Sequence, residues 1–126
     1  MTSILLVCHA ELGAALAASA RVIVGDDTAL EVFDVTPSDD PQAAENMLRQ
    51  RLAATGQGTL VLTDVPGATP HNIAVRAVRG MDIPVVSGAS LPMLIRALNH
   101  CRLDPDSLAR YAEAGGHRAI VREPPA

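Results

Sequence analysis

Short apolar runs rich in β-branched residues alternate with helical patterns along the whole chain, and this alternation restricts the possible folds more than any other feature. The strand-like runs are Ile4 to Cys8, Leu30 to Val35, Thr59 to Thr63 and Ile83 to Ser87. Helices between such segments imply a mainly parallel sheet covered on both faces, an α/β protein of three layers, α/β/α. Leu12, Leu16, Ala20 and Ile23 fall on one helical face, as do Ala44, Met47, Leu48 and Leu52, and later Leu91, Leu94, Ile95 and Leu98. Asp40-Pro41, Thr69-Pro70 and Asp104-Pro105 each set a capping oxygen before a proline whose missing N–H is harmless at a helix start. The last helix is expected from Pro105 to Ala114, stopped by Gly115-Gly116, with a fifth strand over Arg118 to Arg122.

Length and composition limit the function classes. A chain of 126 residues, 48% hydrophobic, suits one domain over 1–126 with a single core. A net charge of -4 and 2% aromatic residues offer neither a basic field nor stacking platforms, so no nucleic-acid partner is expected. No apolar run approaches the ~20 residues needed to cross a bilayer, and Met1-Thr2-Ser3 is not a basic leader. The expected setting is therefore cytoplasmic, without membrane insertion. Cys8 and Cys101 lack metal-type spacing and read as reduced thiols; no metal and no cofactor are expected.

In a parallel sheet the residues just beyond the strands converge on one edge, where α/β proteins place their chemistry. His9, at the tip of the first strand, is the outstanding candidate. Around it the same rule collects Asp34, the loop Asp64 to Pro70, and Gly88-Ala89-Ser90. With strand order 2-1-3-4, His9 and Asp64 face each other. A carboxylate on one imidazole nitrogen fixes the tautomer and presents the other nitrogen's lone pair. Gly67, Ala68 and Thr69, at the start of the third helix, suit an anion through free N–H groups and the helix dipole. Such a set reads as a histidine that accepts a phosphoryl group and passes it on.

The plainer readings assign the remaining residues. Cys8 points to the sheet face opposite His9 and is a small buried hydrophobe. Asp34 is solvated, His71 is an exposed loop residue, and His100 and His117 are surface or interface residues. Thr69 is a helix cap; Ser90 is a cap with an additional phosphate contact in question.

The segments Val7-Cys8-His9, Asp64-Val65-Pro66-Gly67-Ala68-Thr69-Pro70-His71-Asn72 and Gly88-Ala89-Ser90-Leu91-Pro92-Met93-Leu94 resemble those of the mannose-family enzyme IIA proteins of the bacterial phosphoenolpyruvate-dependent phosphotransferase system. The resemblance spans nearly the whole chain. It implies that His9 is phosphorylated by the histidine-containing carrier HPr and then phosphorylates an enzyme IIB, with Asp64 hydrogen-bonded to it. It also implies a homodimer whose C-terminal strand, here Gly116 to Arg122, crosses over and adds antiparallel to the partner's sheet. The family usually has glycine at the position of Ala10, glycine and serine at Ala68 and Thr69, and asparagine at Ser90. Thr69 retains the hydroxyl. With no IIB segment after Val121, the expected acceptor is met in trans, in sugar uptake or in regulation by phosphorylation state. The rival readings are the phosphotransfer subunit of a dihydroxyacetone kinase and a non-catalytic anion-binding module. The turn Cys8-His9-Ala10-Glu11-Leu12-Gly13 lacks the Gly-x-Gly-x-x-Gly pattern of a dinucleotide site.

Overall fold

The computed structural model describes residues 1–26, 29–55 and 58–125. Its elements run β1 (Ser3–His9), α1 (Leu12–Val24), β2 (Leu30–Val35), α2 (Pro41–Ala53), β3 (Thr59–Thr63), α3 (Thr69–Ala77), β4 (Val85–Val86), α4 (Leu91–Leu98) and α5 (Pro105–Arg118). The sheet has the order β2-β1-β3-β4, and every pairing is parallel. β4 is shorter than the run Ile83 to Ser87 had suggested, with only Val61 and Leu62 of β3 opposite Val85 and Val86.

Both faces of the central strands are apolar because both are covered. Ile4, Leu6 and Cys8 of β1 join Leu60 and Leu62 of β3 in a core shared with α1, α4 and α5. Leu5, Val7 and Val61 point the other way, into a core with Leu48 and Leu52 of α2 and Ile73, Ala74 and Ala77 of α3. Each fully buried Leu or Ile contributes roughly 1.5–3 kcal/mol. At the sheet's β2 edge, Arg21 donates to the Leu30 carbonyl (2.9 Å) and Arg51 to that of Val32 (3.0 Å). These arginines occupy acceptors that another strand would need.

The helices differ from the sequence reading where tertiary packing overrides periodicity. The buried side of α1 is Gly13, Ala17 and Ala20, while Leu12 and Ile23 are 42% and 57% exposed. Small residues bring this helix close to the sheet, so its inner face is offset from the bulkier stripe. Met47 is likewise exposed. Ala68, not Thr69, is the N-cap of α3, with Thr69 and Pro70 already helical.

The largest correction concerns the C-terminus. Gly115-Gly116 does not stop α5, which continues to Arg118; neither a strand over Arg118 to Arg122 nor one over Gly116 to Arg122 forms, and Ala119 to Pro125 have no regular structure. The glycines are there for close approach to α4. A Cβ on Gly115 would lie 2.6 Å from Arg96 Cβ, and one on Gly116 would lie 2.9 Å from Met93 Cε. Helix contact, not helix termination, therefore explains the pair.

Candidate active site

Parallel pairing brings the ends of β1 and β3 together. Val7 lies opposite Thr63 in register, so Asp64 follows directly beside the segment that ends in His9. One Asp64 oxygen, Oδ2, accepts both the His9 backbone N–H (2.9 Å) and, at 2.7 Å, the ring nitrogen Nδ1; Oδ1 accepts the Val65 N–H (2.9 Å). Asp64 is buried, whereas the His9 side chain is 49% exposed. Burial would raise the carboxyl's pKa, but the hydrogen bonds from His9 and Val65 outweigh it and hold the group below the usual carboxylate range. An ionised carboxylate only accepts, so Nδ1 carries the proton and Nε2 presents its lone pair at the open end of the site.

The loops that surround this imidazole are tied to β3. Gly88 N–H donates to the Asp64 carbonyl (3.0 Å) and Ala89 N–H to that of Thr63 (2.8 Å), which brings Ser90 to the same end of the sheet. Ser90 caps α4, accepting from the Met93 N–H at 3.3 Å, and its own hydroxyl proton remains able to donate. In the other loop Gly67 has φ 83°, a conformation that favours glycine. The Ala68 N–H is engaged by the Val65 carbonyl (3.2 Å). Asn72, which ends the motif segment but had no role assigned from sequence, closes this loop by donating from Nδ2 to the Gly67 carbonyl (3.0 Å).

The helix N-termini differ in a way that bears on anion binding. Asp40, Ser90 and Asp104 cap α2, α4 and α5 through their side chains. Asp34 caps α1 from the neighbouring strand, accepting the Gly13 and Ala14 N–H groups at 3.1 Å each. Two N-cap residues, Glu11 and Ala68, give no side-chain cap, and since Asp34 serves α1, α3 is among the described residues the helix left without one. Its positive end stands beside the His9–Asp64 pair, the arrangement that a phosphoryl group would use in place of a cap.

Other expectations are revised. Asp34 is a cap and not a solvated strand end. His71 is half-buried, its Nδ1 2.8 Å from the hydroxyl of buried Thr63, and not an exposed loop residue. Neither link is visible in sequence: the first depends on how α1 packs against β2, and the second on how the loop after β3 folds α3 back against that strand. Cys8 is fully buried and its thiol is pushed up to about 12, first by burial and then by the charges of Asp64 and Asp34, so it is no nucleophile. His100 donates from Nδ1 to the Arg96 carbonyl at 2.8 Å and packs at a tilt against the Tyr111 ring, and His117 is exposed. Among the described residues no three of His, Cys, Asp and Glu gather as a metal site, and no helix is long and apolar enough to cross a membrane.

An open parallel sheet of order 2-1-3-4 with a carboxylate-oriented histidine at its carboxyl edge defines a class of small α/β proteins with their chemistry at the strand ends. Within that class the chain belongs to the EIIA-man family, described as "PTS system fructose IIA component", whose model matches residues 3–113. It is thus an enzyme IIA-type component of the sugar phosphotransferase system. It is similar to the mannose/sorbose specific IIA subunit of the phosphotransferase system from Enterococcus faecalis, with 28% identity, TM-score 0.90, and coverage of 99% of this chain and 96% of that one. The fold is shared with the phosphotransferase system component EIIA from Streptococcus agalactiae, at 24% identity and TM-score 0.88, covering 97% of each chain. It is also shared with the PTS IIA protein associated with the fucose utilization operon of Streptococcus pneumoniae, at 21% identity and TM-score 0.75, covering 90% and 89%. No curated protein matches the chain.

Proposed function

We propose that the chain is a phosphohistidine carrier that takes a phosphoryl group from phosphorylated HPr onto His9 Nε2 and delivers it to an enzyme IIB. The observation that carries this reading is the double hold of Asp64 on His9, through the backbone N–H and Nδ1, which leaves Nε2 as the free nucleophile. In the forward step the Nε2 lone pair forms a bond to phosphorus as the donor's N–P bond breaks, and the donor imidazole leaves with the bonding pair. Asp64 keeps the proton on Nδ1 and offsets the positive charge that develops on the ring. The N-terminus of α3, with Gly67 and Thr69, and the Ser90 hydroxyl meet the phosphoryl oxygens; Ala68 contributes as the cap without a side-chain oxygen. Transfer to the acceptor reverses these roles.

The carrier acts in the cytoplasm, as a single domain, and works as a homodimer. With the β2 edge occupied by arginines, the β4 edge is the one available to a partner strand. Exposed Ile120 and Val121 follow α5, so the crossing segment begins after Arg118 and not at Gly116.

The test is intact-protein mass spectrometry at alkaline pH after incubation with phosphoenolpyruvate, enzyme I and HPr. Wild type should gain one acid-labile phosphoryl adduct and His9→Ala none; an adduct on His9→Ala, or none on wild type with a matched HPr, would refute the assignment. Adding either an enzyme IIB or the nucleotide-bound subunit of a dihydroxyacetone kinase separates the two carrier readings by which one discharges the adduct. Anion binding without an adduct would point to the non-catalytic module.

A further inference from the structure

Only Ala10 and Glu11 separate His9 from the first residue of α1, so any movement of that helix is passed to the histidine. The connection is pinned on one side by the Ala10 N–H, which donates to the Val35 carbonyl at the end of β2 (2.9 Å). On the other side it is pinned by Asp34, which lies opposite Cys8 in register and on the α1 face of the sheet. Glu11, the residue that precedes α1, makes no side-chain cap. The two Asp34 oxygens take its place, each accepting one N–H from the first turn, Oδ1 from Gly13 and Oδ2 from Ala14, both at 3.1 Å.

The fit is close. A Cβ on Gly13 would lie 2.2 Å from Asp34 Oδ1 and 3.0 Å from Val32 Cγ1. Glycine at this position lets the helix end descend onto the carboxylate. The contact also has an electrostatic consequence. The N-termini of α1, α3 and α4 all stand at the sheet edge where His9 ends. Asp34 fills the first and Ser90 the third, while α3 has no side-chain cap. A dianionic phosphoryl group is repelled from the filled α1 end and drawn to the open α3 end.

We propose that Asp34 is a positioning residue of the phosphoryl-transfer site, acting through α1. Its carboxylate, delivered from the neighbouring strand, fixes the turn that carries His9 and closes one of the nearby helix ends to the phosphoryl group. The inference rests on the carrier reading above. Gly13 is its structural complement.

The experiment compares wild type, Asp34→Ala, Asp34→Asn and Gly13→Ala in single-turnover phosphoryl acceptance from phosphorylated HPr over a range of donor concentrations. It is run at a temperature at which circular dichroism shows each variant fully folded. Asp34→Ala should lower the maximal rate by about tenfold or more with little change in KM, since small misplacements of a reacting group cost orders of magnitude in rate. Asp34→Asn, which still accepts from the helix, should recover part of that loss. Gly13→Ala displaces the carboxylate without removing it and should be slow as well, which decides the matter if Asp34→Ala does not fold. A folded Asp34→Ala or Gly13→Ala that transfers at the wild-type maximal rate, with any defect confined to melting temperature, would overturn the role of Asp34. A wild type that accepts no phosphoryl group would instead refute the carrier reading, and this inference with it.

Discussion

Replacing Asp64 by asparagine changes one oxygen to an NH2 group and preserves size, so its consequences follow from counting donors. Asp64, itself only 8% exposed, accepts three hydrogen bonds, two of them from His9. Asparagine cannot satisfy all three. If its oxygen faces His9, its NH2 meets the Val65 N–H, and two donors are left opposed. If its NH2 faces His9, it opposes the backbone N–H, and the ring must move its proton from Nδ1 to Nε2 to accept, which removes the nucleophile. A hydrogen bond to a charged group is worth about 1.5–3 kcal/mol, which corresponds to roughly 10- to 150-fold in rate if the interaction is lost where charge develops on the ring. Rapid-quench measurement of phosphoryl acceptance, quantified by intact mass, should therefore find Asp64→Asn slower by that factor while circular dichroism remains native. A second signature lies in the pH dependence of stability. The Asp64 pKa is lowered on folding, so the carboxylate's stabilisation is present above the ordinary carboxylate pKa and is lost as pH falls through the lower folded value. Asp64→Asn should flatten that part of the acid limb. A variant within threefold of the wild-type rate would refute the view that Asp64 sets the histidine's tautomer.

Gly115→Ala should destabilise the protein by about 1–3 kcal/mol through overpacking, because its Cβ would fall 2.6 Å from Arg96 Cβ; unchanged thermal unfolding would refute the close-approach role of this glycine. Cys8 should be inert to a thiol reagent at pH 8 in the folded protein and react only on unfolding, and rapid native-state labelling would contradict its burial. Because the folded thiol is raised to about 12 from an ordinary value of 9.0, its linkage makes stability fall as pH rises above about 9. That loss should be reduced in Cys8→Ala.

The sequence alone carried the layer architecture, since apolar strands covered on both faces and proline-marked helix starts are local signals. Asp40 and Asp104 cap as read, because a cap and its helix are adjacent in the chain. His9 and Asp64 were legible too, but conditionally: their contact follows from strand order, and that order was an assumption until β1 was found between β2 and β3. Asp34 on Gly13 and Gly88 on Asp64 were not legible, because each joins segments brought together only by packing and strand register, and His71 on Thr63 was not, because it depends on how the intervening loop folds α3 back onto β3. The same holds for Gly115-Gly116, where a local rule for glycine predicted a stop and the proximity of Arg96 and Met93 required the absence of a side chain. Local chemistry thus determined the succession of strands and helices up to Gly115, though not the course of the chain after it, and which residue could act as nucleophile. Tertiary structure decided which carboxylate orients it, which helix ends are filled and which one remains open, because those are contacts between distant segments and no single segment's propensities contain them.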